Sequence, residues 1–100
     1  MDIIVYTMRE TLKHKQGADG YQSYYWNFPR PPKQLEEGDK IYFACEGMIQ
    51  GYFIVDEFNP DDDEMVVWDK DSWVELKRKI PTKSFQGFKY ANKVEELRNG

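Results

Sequence analysis

Residues 38–55, GDKIYFACEGMIQGYFIV, place two strongly apolar runs on either side of a Glu–Gly pair. Each run is rich in aromatic and β-branched side chains, the composition of strands rather than helices. A two-residue link makes them a hairpin, with Glu46–Gly47 serving where Asn–Gly or Asp–Gly would be stronger. Side chains alternate along strands. Ile41, Phe43 and Cys45 therefore share one face of the first run, and Ile49, Gly51, Phe53 and Val55 share one face of the second. Gly51 is the anomaly, because glycine weakens the interior of a strand. It stands there either for a sharp bend or for a close approach to the backbone, and curvature is the expected reason, since small closed sheets use glycine kinks to coil.

The remaining segments extend the same pattern. DIIVYT is a buried first strand, MRETLKHK has the spacing of a short helix, and KQGADG breaks it. YQSYYWNFPRPP cannot be helical, with three prolines in its last four residues, and reads as a long irregular connection. PKQLEEGD reads as a helical turn closed by Gly38. EMVVWDK and SWVELKRKIP are two further strands, NPDDDE is an exposed turn between strands, and FQGFKY is a short edge or loop. ANKVEELRNG carries Val94 and Leu97 at helical spacing. One domain over residues 1–100 follows. Its expected fold class is mainly β with short helices (α+β), a small pseudo-barrel of five to six strands.

Composition narrows the class of function. The chain is 16% aromatic, more than core filling needs. Its net charge of −4 argues against a non-specific grip on nucleic acid, yet the charge is unevenly spread. Residues 1–33 carry +2, residues 34–75 carry −11 and residues 76–100 carry +5. If the two basic ends meet, they form a patch suited to phosphates on an acidic protein; otherwise they are a solvated mixed surface. No window has the roughly 20 apolar residues of a membrane span, and no targeting segment follows Met1, so a cytoplasmic protein is expected. The single cysteine, Cys45, reads as a buried thiol. One Cys and one His, His14, cannot build a zinc site. The DDDE run lacks the spaced ligands of a calcium loop, so neither metal nor cofactor is expected.

Three short motifs resemble the PUA-like superfamily, with the EVE, YTH and ASCH branches closest. They are Trp26 in the loop after the first strand, the G-x-I-x-G element Gly47–Gly51, and the Trp68-Asp-Lys-Asp-Ser-Trp73 segment, followed by IPTKSFQGFKY. The resemblance implies a pseudo-barrel with an aromatic pocket for a base, often a modified one. By it, Trp26 is one wall, Trp68 or Trp73 a second, and Asn27 a reader of the base edge. The ASCH signature near the start is not reproduced by Met8-Arg9-Glu10.

Base or ligand contacts are therefore expected at Tyr25, Trp26, Asn27, Trp68 and Trp73, and phosphate contacts at Arg9, Lys13, Lys77 and Lys79. Stacking on aromatic rings is sequence-tolerant because every base has a π-face. The competing reading of YYWNFP is a plug for the open end of the barrel, and for the two later tryptophans it is core packing. The partner expected is nucleic acid, either RNA or a single-stranded or flipped DNA base. Two alternatives stand beside it: a small ASCH-type hydrolase of modified nucleosides, with Thr11, Lys13 and a distant Glu as weak candidates, and a protein-interaction module using its exposed aromatics.

Overall fold

The computed structural model describes residues 1–17 and 23–91. It contains β1 (Ile3–Tyr6), α1 (Arg9–Lys15), β2 (Tyr25–Asn27), β3 (Lys40–Cys45), β4 (Met48–Glu57), β5 (Met65–Trp68), β6 (Val74–Pro81) and β7 (Phe88–Tyr90). The expected C-terminal helix lies outside the described residues, save Ala91. The strands form one sheet in the order β2-β5-β4-β3-β1-β7, with β6 also paired to β4.

β4 is the spine. Its start pairs with β6 and its end with β5 on one edge, while β3 covers the other. Between the two partners the Asp69–Ser72 turn takes over. The Ser72 hydroxyl accepts from the Ile54 amide (2.8 Å) and donates to the Asp69 carbonyl (2.6 Å). Trp68 and Trp73 thus sit at the two ends of a turn clipped onto β4.

The sheet is curled and barrel-like. Phe28, just past β2, meets Phe88 of β7 at 5.5 Å between ring centroids, although β2 and β7 are the two ends of the strand order. Trp26 likewise reaches Phe43, three strands away in that order, at 5.7 Å. The inner face buries Ile3, Val5, Leu12, Phe43, Phe53 and Trp68; the outer face buries Ile4, Tyr42, Ala44, Ile49, Leu76 and Ile80. Because β1 and β3 are covered on both sides, their sequences are near-continuous apolar runs.

Several expectations are corrected. Among the described residues there are seven strands, the additional ones being short: the YYWN segment is not wholly irregular but forms β2 on β5. β1 and β3 run parallel, so one crossover, carrying α1, interrupts an otherwise antiparallel sheet. Residues 31–39 form two successive turns, closed by Leu35 N–H to Pro32 O (3.2 Å) and Asp39 N–H to Glu36 O (3.1 Å), not a helical turn. The Glu46–Gly47 turn has both residues at positive φ, 54° and 80°, the conformation that matches the twist of a two-residue hairpin.

Gly51 answers to closeness more than to bending. A β-carbon there would lie 2.6 Å from Trp73 Cζ2 and closer still to the Val74 carbonyl oxygen. Beside it, the register slips by one residue against β3, between Ala44–Ile49 and Phe43–Gly51. That bulge changes the facing of the strand: Ile49 joins the outer cluster, while Phe53 and Val55 join the inner one. The expected single face from Ile49 to Val55 is therefore broken at Gln50.

Candidate functional site

Five aromatic rings form a continuous chain through the inner face. Trp26 meets Phe43 (5.7 Å), Phe43 meets Trp68 (5.3 Å), Trp68 stacks on Phe53 (5.2 Å, 21° between planes), and Phe53 meets Trp73 (4.9 Å). The middle three rings are buried and the two ends, Trp26 and Trp73, are half-buried. Each end is held by local structure. Trp26 lies on β2 opposite Val66, and Trp73 is seated over Gly51, its Nε1 donating to Glu75 Oε1 at 3.4 Å. The G-x-I-x-G element and the two-tryptophan segment are thus in contact through Gly51 and Trp73.

Under the Trp26 end lies Lys15, which the sequence did not single out. It is buried, and its Nζ donates to Ser23 Oγ (2.8 Å) and the Tyr25 carbonyl (2.9 Å). The ammonium also stands 4.9 Å from the Tyr25 ring centroid, 5.4 Å from that of Trp26 and 5.8 Å from that of Trp68, within cation–π range. Its position three residues after the buried Leu12, on the same helix face, was the available signal.

Burial lowers the Lys15 pKa. The folded chain therefore sheds this proton at lower pH than the unfolded chain, and stability attached to Lys15 rises with pH between its folded value and the ordinary value of 10.5. Denaturant unfolding of wild type and Lys15→Met at pH 7 and pH 10 is expected to show wild type gaining on the variant at the higher pH. A pH-independent difference would contradict this assignment.

The other expected contacts divide. Tyr25 is 41% exposed, and Asn27 is exposed beside Trp26. Tyr24 is exposed too, whereas Phe28 is buried against Phe88. Trp68 is 1% exposed, so its part in any site is to seat the reachable rings. Its Nε1 has no hydrogen-bond partner among the described residues.

Of the cations, Arg9 is engaged by Glu46 through Nε (3.2 Å) and a terminal nitrogen (3.1 Å). The hydrogen bond raises the Arg9 pKa and lowers that of Glu46. Lys13 is exposed on α1, and Lys77 is exposed on β6. Lys79 is tied inward, to Gln50 O (2.9 Å) and to Glu75.

Thr11 and Lys13 are two residues apart on α1, a spacing that points them away from each other. The acidic turn is closed on itself: Asn59 Nδ2 donates to Asp62 and the Asn59 amide to Asp63. Among the described residues no three His, Cys, Asp or Glu side chains converge as a metal-ligand set, and no helix is long and apolar enough to cross a membrane. Cys45 is buried, which raises its thiol pKa.

Comparison of the chain with protein-family models, with curated proteins and with solved structures finds no match.

Proposed function

We propose that this chain is a nucleic-acid-binding module of PUA-like type that holds a base, modified or unmodified, on the reachable rings of its aromatic chain. The observation that carries the reading is the chain itself: two half-buried tryptophans joined through three buried rings. Trp26 and Trp73 are half-buried and held by the rings behind them, so a base stacking on either would need little ordering of the protein. Tyr25 and Asn27 flank Trp26 on the edge strand, where an exposed amide side chain can meet a base edge. The buried Lys15 fixes the Tyr25 backbone beneath them. Contact between the motifs that suggested the PUA-like resemblance supports the same reading.

Fluorescence titration with short single-stranded oligonucleotides, modified and unmodified, tests it. Trp26→Ala is expected to weaken binding by roughly 5- to 150-fold, the equivalent of about 1 to 3 kcal/mol for one base stack. Unchanged affinity in Trp26→Ala would remove the base site from this end of the chain of rings.

A further inference from the structure

The pairing of β4 with β6 contains a large irregularity. Ile49 faces Ile80 and Gly51 faces Glu75, so one residue of β4, Gln50, stands opposite four of β6, Leu76 to Lys79. The four facing residues are LKRK, the most basic run in the described chain. The base of this bulge is latched. Lys79 Nζ donates to the Gln50 carbonyl and pairs with Glu75, spanning the bulge from end to end. Leu76 is turned into the outer apolar cluster. That leaves Lys77 and Arg78 exposed at its crest.

The crest borders a groove of about 410 Å³ lined by Tyr52, Val74, Glu75, Leu76, Lys77 and Arg78. Lys40 adds a third cation at its side, its Nζ standing 4.8 Å from the Tyr52 ring centroid. Bulges redirect side chains and are common next to binding sites. Here the redirected pair is cationic on a chain of net charge −4, and the latch at Glu75 also receives the Trp73 indole N–H. One end of the aromatic chain and the basic bulge are thereby joined through a single carboxylate.

We infer that the β6 bulge is a phosphate-contact element, in which Lys77 and Arg78 hold the sugar–phosphate backbone of a single strand in the Tyr52–Arg78 groove while Lys79 serves as an internal latch. This rests on the nucleic-acid reading above and refines it, because it moves the expected phosphate contact from Lys79 to Arg78. The partner is nucleic acid rather than an acidic peptide, because the bulge adjoins a ring suited to base stacking. Phosphate contacts position a strand without reading its sequence.

The test is titration of the full chain with oligouridylate and oligothymidylate of equal length at several salt concentrations, with an oligoglutamate competitor. Lys77→Ala/Arg78→Ala is expected to weaken both oligonucleotides several-fold by a similar factor. It should also reduce the slope of log affinity on log salt by about 1 to 1.5, the release expected for two single-strand phosphates. Lys33→Ala, which removes a cation bonded to Pro60 O elsewhere on the surface, should change neither.

Unaltered affinity and slope in the double variant, with Trp26→Ala still weakening binding, would overturn the bulge assignment and leave the base site standing. The converse, a reduced slope in the double variant with Trp26→Ala silent, would support the bulge and remove the base site from the Trp26 end of the ring chain, leaving Trp73, which adjoins the bulge. Displacement of both oligonucleotides by oligoglutamate at equal charge concentration would overturn the choice of phosphate as ligand. Should the double variant fail to fold, Lys77→Gln alone, with about half the slope change, carries the same test.

Discussion

Gly51→Ala is expected to destabilise the protein by roughly 3 kcal/mol, at the upper end of the range for overpacking a buried site. The added methyl would meet two obstacles of different kinds. The Trp73 ring, 2.6 Å away at Cζ2, is a side chain and can swing out. The Val74 carbonyl is backbone, held in the β4–β6 pairing at Gly51–Glu75 and Tyr52–Val74, and moves only if that pairing opens. Trp73→Ala introduced into Gly51→Ala should therefore recover part of the loss and not the whole. Denaturant unfolding of the two single variants and the double variant separates these contributions. A loss below about 1 kcal/mol in Gly51→Ala would mean that glycine is there for bending rather than for closeness.

Trp68→Ala is expected to cost more, about 3 to 5 kcal/mol, the range for removing a large aromatic from a core. The side chain is at the centre of the ring chain, stacked on Phe53 and edge-on to Phe43, with the Lys15 ammonium near its face. Its loss would leave a cavity bordered by a buried cation, which is unfavourable beyond the missing apolar contact. Trp68→Phe keeps a ring and removes a buried N–H that has no partner among the described residues, so it should cost distinctly less. Equal losses in the two variants would show that ring stacking is not what Trp68 contributes.

Much of this architecture was legible where side-chain pattern and backbone demand coincide. The β3–β4 hairpin followed from two apolar runs and a two-residue link, and β1, β5 and β6 followed from β-branched and aromatic composition. What escaped depends on contacts distant in sequence. β2 lies in a stretch whose prolines suggest irregularity, and it becomes a strand because β5 offers it an edge. The parallel pairing of β1 with β3 left no local trace. The break in facing at Gln50 escaped because strict alternation was carried through a strand that bulges.

Within the candidate site, the aromatic residues stood out by type, but their division into buried and reachable rings did not. Trp68, at the end of β5, is enclosed by Phe43 and Phe53, whereas Trp73, just before β6, touches Phe53 on one side and rests on Gly51. Lys15 shares a helix face with the buried Leu12, but that signal is weak because lysine at the end of an exposed-looking helix ordinarily stays in water. Lys79 looked like its neighbours Lys77 and Arg78, and only the broken ladder distinguishes the latch from the crest.

The most direct measurement is a ¹⁵N–¹H correlation spectrum of the three tryptophan indole N–H groups during titration with a single-stranded oligonucleotide. The account predicts saturable shifts at Trp26 and Trp73, the two reachable ends of the ring chain, and a much smaller change at the enclosed Trp68. Binding that shifts β6 backbone amides and leaves both Trp26 and Trp73 unmoved would contradict a base held on these rings.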